Sequence, residues 1–297
     1  IRIEDLPILN EATKTNDHQV LDLGPGAEPR LLWFNQNTNA PGVAPHKKAW
    51  FREVAFRRAI SLAIDRESIM RDGGGGWARG FIVAESPRWL ADDTVAFPHK
   101  PAQAVNLLGQ IGIKEVADGQ LEDSRGNKVA FSLKLARGSA TSTAVAEAIA
   151  QQLNSLGMQV TVEHVEFPAL LHSIDTKSDY DAILMGFGGG LPDPHTAGDI
   201  LRSDGPMHFW NPQQKNPATA WEKRIDDLFL RQRGELEFEQ RKKTANEIRV
   251  ILARELPFIP LFKRPQHAAL RARLGNLKAS ATAPFPLTWN VEELFLQ

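Results

Sequence analysis

From Gly186 to Asp199 the chain reads GFGGGLPDPHTAGD, four glycines around one phenylalanine followed by two acids and a histidine. Glycines that leave a strand and open into a helix can cradle a phosphate, but that motif needs a fixed spacing and a Lys-Ser/Thr pair. Neither is present here, which excludes a P-loop. The second glycine run, 73-GGGGWA-78, has G-x-G-x-x-A spacing but follows a predicted helix rather than a strand, which is the wrong context for a dinucleotide fold. The strings G-x-S-x-G, S-x-x-K and H-E-x-x-H do not occur, so the familiar nucleophile and zinc-protease signatures are missing. His164 and Glu166 form an H-x-E, yet a zinc deaminase also requires two cysteines, and the chain has none. Asp193, His195, Asp199 and His208 remain as acids, bases or metal ligands, or as solvated loop residues.

The elements around this stretch are legible by period. Residues 129–136 alternate like a strand, Val145, Ile149, Leu153 and Leu156 share one helical face, and residues 158–165 alternate again. This predicts a βαβ unit, two parallel strands joined by a right-handed crossover. A third strand over 180–187, apolar on both faces through Ala182, Ile183, Leu184 and Met185, ends at the glycines.

Upstream, Phe56, Ala59, Ile60, Ala63 and Ile64 mark an amphipathic helix with Arg52, Arg57 and Arg58 on its other face, and Asp65 caps a second helical segment. Residues 1–30 read as a polar loop before a strand over 30–36. Downstream, helices are expected over 218–232 and 236–255, the second with Glu237–Arg241 and Glu239–Lys243 pairs. A strand over 258–264 precedes a Pro- and Ala-rich tail that periodicity does not place. Trp77, Trp89 and Trp210 fall in segments read as loops, where a ring can serve as a binding platform or plug a local core.

Composition narrows the classes. The 297 residues are 42% hydrophobic and 24% charged, enough for a substantial core and outside the disordered range. Thirty-five basic against 36 acidic residues leave a net charge of -1, which gives no bulk field for nucleic acid or an anionic membrane. Without cysteine there is no disulfide and no thiolate chemistry. No apolar run approaches the ~20 residues of a membrane helix. The start, IRIEDLPILN, lacks a methionine and a signal-peptide pattern and reads as a fragment or a processed chain.

Several segments together carry a resemblance. The run 33-WFN-35 followed by 52-REVAFRRAISLAIDRESIM-70 resembles the "fN…vRqAlnyAiDRe" segment of the family 5 extracellular solute-binding proteins, the dipeptide, oligopeptide and nickel receptors of bacterial ABC importers. In the same order, 99-HKPAQAVNLLGQIG-112, 147-EAIAQQLNSLGMQV-160, 180-YDAILMGFGGGLPDP-194 and 257-PFIPLF-262 are similar to further family segments.

The resemblance implies an α/β fold, the second lobe of a periplasmic-binding-protein-like clamshell, with a mostly parallel sheet covered by helices and terminal segments that cross the hinge. It divides the chain into a remnant of the first lobe and hinge at 1–30, the second lobe at 31–263, and a return across the hinge at 264–297. The function it implies is the extracytoplasmic receptor of an ABC importer, periplasmic or membrane-anchored, with an export signal upstream of this segment. It would be a monomer that binds a peptide or other small organic solute and hands it to a membrane permease, with no cofactor, metal, nucleic-acid partner or catalysis. The alternatives are an oligosaccharide receptor of the same family and an α/β hydrolytic enzyme using Asp193, His195 and Asp199.

On this reading Phe187 stands where the family usually has a tryptophan, and Gly188, Gly189 and Gly190 let a ligand approach the backbone. Trp77, Trp89, Trp210 and His195 complete the expected ligand-binding set. Asp193, followed by Pro194, suits a helix N-cap better than a ligand contact. In peptide-binding members an aspartate that pairs with the peptide ammonium lies four residues before the second proline, and here that position is Gly190. A buried ammonium without that partner loses about 2–5 kcal/mol. Replacing Phe187 by alanine is expected to weaken solute binding tenfold or more with the apo melting temperature nearly unchanged.

Overall fold

The computed structural model describes residues 1, 5–13, 18–72, 88–89, 97–187, 193–280 and 287–296. Trp77 and Gly188–Gly190 lie outside the described residues. In chain order the main elements are α1 (Leu6–Ala12), β1 (His18–Phe34), α2 (Pro45–Arg52), α3 (Val54–Ala63), α4 (Arg66–Asp72) and α5 (Pro101–Gln110). A two-residue hairpin, β2 (Lys114–Glu115) with β3 (Leu121–Glu122), leads to β4 (Ala130–Ala136), α6 (Ala140–Asn154), β5 (Gln159–Val165), α7 (Phe167–His172) and β6 (Ala182–Gly186). After these come α8 (Gly198–Leu201), α9 (Ala220–Gly234), α10 (Phe238–Glu255), β7 (Ile259–Arg271) and a small ladder of β8 (Leu274–Gly275) with β9 (Phe295–Leu296).

The main sheet has the order β5-β4-β6-β1-β7. The predicted βαβ unit is present: β4 and β5 pair in parallel from Ala130↔Gln159 to Ala136↔Val165, and β4 also pairs in parallel with β6. β1 and β7 extend this parallel half with antiparallel ladders. The strand periods sort side chains onto two cores. Leu133, Leu135, Leu32, Phe34 and Leu184 face α3, α5 and α6, whereas Leu31, Trp33 and Ile183 face α9 and α10.

Two expectations are corrected, and the tail that periodicity leaves open is placed. Residues 18–30 are not a loop but the first part of β1, and the tail after 264 continues as strand to Arg271, because the two segments satisfy each other's backbone groups. Register shifts between Asp22 and Pro25, Pro25 and Pro29, and Arg30 and Leu31 absorb the glycines and prolines that hide the strand from a period-2 reading. Arg57 does not sit on a solvent face: it is 2% exposed and donates to the carbonyls of Phe51 (2.8 Å), Glu255 (2.7 Å) and Leu256 (3.0 Å), pinning α3 to the end of α10. Burial lowers its pKa to about 10, so it remains a cation at neutral pH.

Other family-like motifs also prove structural. Asp65 accepts from the backbone N–H of Glu67 and Ser68, the expected cap, while buried Arg66 donates to Pro260 O at 2.8 Å and Ser61 Oγ at 2.9 Å, tying α4 to β7. Asn35, fully buried, donates to Ser178 O (2.9 Å) and Tyr180 O (3.0 Å), and so fixes the chain leading into β6. Among the described residues no helix is long and apolar enough to cross a membrane.

Candidate functional site

Strand direction decides where a site can lie. β4, β5 and β6 all end on one edge, at Ala136, Val165 and Gly186, and open α/β sheets hold ligands outside the carboxyl ends of parallel strands. β1 is level with β6 only from Arg30 to Phe34. Its first part, His18 to Pro29, continues past Gly186 paired only with β7, as a two-stranded ribbon. The ribbon therefore leaves the sheet at the edge where the glycine-rich stretch begins.

At that edge Gly186 lies beneath the side chain of Arg30. A Cβ there would lie 2.5 Å from Nη1 and 3.0 Å from Cζ of Arg30, its cross-strand partner, so the guanidinium lies across the glycine. Phe187 turns to the other face of the sheet. Only 9% exposed, it stacks on Trp33 (5.8 Å between centroids) and Phe209 (5.6 Å) and meets Phe258 edge-on at 5.5 Å.

On the far side of the glycines, Asp193 is the N-cap of a short 3-10 turn, Pro194–Ala197, which runs on into α8; its side chain accepts from the N–H of His195 at 2.9 Å. The predicted Glu237–Arg241 pair is replaced by a longer-range contact, because Arg241 Nη2 reaches both Asp193 oxygens at 2.8 and 3.0 Å. Burial pushes the Asp193 carboxyl up, but the hydrogen bonds from Arg241 and His195 N outweigh it and hold the group below its ordinary value. The same guanidinium lies 5.2 Å from the Trp89 ring, which packs on Phe238 at 4.8 Å. Arg241 thus fastens the loop exit and Trp89 to α10.

Of the residues picked out in the sequence, Phe187, Trp89 and Trp210 come together in one apolar cluster. Trp210 is fully buried beneath the loop that carries it, its indole N–H donating to Glu222 Oε1 at 3.1 Å, so in this conformation the core occupies both ring faces. His208 is buried beside it, 3.5 Å from Glu222. Burial raises Glu222, yet the neighbouring His208 and the hydrogen bonds from Trp210 and Thr219 leave it below its usual value. His195 and Asp199 are exposed, and the described residues contain no group of three or more His, Asp or Glu able to hold a metal.

The pattern reading missed Arg30 over Gly186 and gave Arg241 a nearby partner in place of Asp193, because both contacts join residues far apart along the chain. A further concavity of about 540 Å³ lies over the open face of β4 and β5. Both of its lysines are engaged within it, Lys47 with Asp181 at 2.7 Å and Lys134 with Glu163 at 3.8 Å and the Asp179 carbonyl at 2.8 Å. It lies off the strand-end edge.

The family profile described as bacterial extracellular solute-binding proteins, family 5 middle, matches residues 1–209. The chain belongs to this family. A probable ABC transporter-binding protein of Deinococcus radiodurans is 26% identical over 278 residues, covering 84% of this chain and 47% of that protein. The oligopeptide-binding protein AppA of Bacillus subtilis, solved with a nonapeptide, superposes over 100% of this chain and 55% of its own with a TM-score of 0.77 at 23% identity. The periplasmic binding protein MelB of Agrobacterium fabrum, solved with stachyose, gives a TM-score of 0.79 at 20% identity over 100% of this chain and 48% of its own. The chain thus spans about half the length of these proteins, and the solved pair establish its fold as periplasmic-binding-protein-like.

Proposed function

We propose that this chain is the second lobe, with its hinge, of the extracytoplasmic receptor of an ABC importer. The single observation that carries the reading is the β1–β7 ribbon. It leaves the sheet at the carboxyl end of β6, so whatever it supports lies beyond the strand-end edge at Gly186. The lobe spans residues 31–263, with 1–30 and 264–297 belonging to the hinge and first lobe. Both boundaries fall where ladder becomes ribbon, and the first coincides with the register shift at Arg30 and Leu31.

A solute enclosed between the lobes lies at the strand-end edge where β6 stops, near the Asp193–Arg241 pair and Trp89. Binding transforms nothing, and the receptor, a monomer, passes its solute to a membrane permease. A peptide or other small organic solute fits the relatives solved with a nonapeptide and with stachyose. The test is native mass spectrometry of the complete protein containing this chain, as purified, followed by calorimetry with trialanine and stachyose. A bound solute of unchanged mass after prolonged incubation is the expected result. Cleavage of that solute, or failure to bind either compound in a protein that carries none, would overturn the reading.

A further inference from the structure

We propose that Arg241 is a positioning residue for the solute. It ties the segment that follows β6, at Asp193, and the segment between α4 and α5, at Trp89, into one wall of the strand-end edge; this rests on the receptor reading above. The fold brings α10 to that edge. β6 and β7 are both antiparallel to β1 and so run in the same direction, and α10 ends at Glu255, just before β7 begins at Ile259. Its 18 residues, about 27 Å of helix, run back over the sheet face that carries Leu31, Trp33 and Ile183. The first turn, Phe238 to Arg241, therefore lies at the carboxyl ends of the parallel strands.

Phe238 and Arg241 are three residues apart and share one helix face. Two segments far apart in the sequence meet there. Trp89, 6% exposed, packs on Phe238 at 4.8 Å and has the Arg241 guanidinium 5.2 Å from its ring, while Arg88 lies 4.3 Å from the Phe238 ring. Asp193 accepts from Arg241 Nη2 with both carboxylate oxygens, at 2.8 and 3.0 Å, and Gln232 Oε1 on α9 stands 3.5 Å from the same nitrogen.

One side chain thus makes an ion pair to a carboxylate and a cation–π contact to an indole. A planar guanidinium suits both at once, whereas the compact, strongly hydrated ammonium of lysine keeps the carboxylate and matches the ring less well. The side chains of Asp193 and Arg241 are 39% and 25% exposed, and an ion pair that open adds little to stability. Its effect is on geometry. A binding wall works only while its side chains are held in place, and here a single group holds both halves.

The experiment labels the complete protein with 5-fluorotryptophan and assigns the Trp89 fluorine resonance by its loss in W89F. D193N should move that resonance by more than its linewidth. In an R241Q background D193N should leave it in place, because the link runs through the guanidinium. A resonance indifferent to D193N, or moved equally with and without Arg241, would overturn the inference.

Calorimetry with trialanine and stachyose, well below melting, reads the wall itself. Whichever probe binds should bind at least fivefold more weakly to R241Q, with R241K between, while R241Q melts within about 4 °C of wild type. An affinity for R241Q within twofold of wild type would overturn the inference, and so would a larger fall in melting temperature, which would make Arg241 a structural residue. Fluorine shifts as expected in a protein that carries no solute and binds neither probe would retain the clamp and remove the receptor reading. Binding without those shifts would do the reverse.

Discussion

Replacing Phe187 by alanine separates packing from ligand contact. The ring is 9% exposed and touches Trp33, Phe209 and Phe258 at centroid distances of 5.5–5.8 Å. A phenylalanine ring buries roughly 150–250 Å², worth about 4–6 kcal/mol at ~25 cal/mol per Å² as an upper bound. Truncations of this kind in cores cost about 3–5 kcal/mol once partial collapse of the cavity is included. At roughly 2–4 °C per kcal/mol for a domain approaching this size, the melting temperature should fall on the order of 10 °C.

The outcome differs from the reading of the sequence alone, in which Phe187 is a free platform and its loss leaves melting untouched. Differential scanning calorimetry of the ligand-free complete protein measures it directly, with F187L as a volume-conserving companion expected to lose much less. A shift within about 2 °C for F187A would refute the packing argument and return the ring to the cleft.

Asn35→Ala leaves the carbonyls of Ser178 and Tyr180 short of a donor and should destabilise by about 2–4 kcal/mol in urea titration; a loss under 0.5 kcal/mol would contradict the pin described for it. The Glu222 carboxyl, held below its ordinary value in the fold, adds stability that is fully present above the unfolded-state pKa and is lost as pH falls through the lower folded value. E222Q should therefore show a flatter decline of stability below pH 5 than wild type, and parallel curves would remove Glu222 from the acid response.

Elements whose signal is local were legible in the sequence. The βαβ unit and the two late helices follow from alternation and 3.6-residue spacing, and the Asp65 and Asp193 caps from their own neighbours. The ribbon was hidden because Gly24, Pro25, Gly26 and Pro29 read as punctuation, whereas a partner strand and its register shifts accommodate all four. Arg57, Arg241 and Trp210 were misplaced for a related reason. A charged residue on a helix or a ring in a loop gives no sign of a distant carbonyl, carboxylate or buried acid that will claim it.

The position of β1 between β6 and β7 bears on how the protein is made. Its apolar end, Leu31 to Phe34, is synthesised well before both neighbours that cover its edges, Ala182–Gly186 and Ile259–Arg271. Until they arrive, a hydrophobic strand waits with both hydrogen-bonding edges open, the kind of surface that recruits the wrong partner. Closing such distant pairings is slow, so the nascent chain spends a vulnerable interval before Ile259–Arg271 is translated.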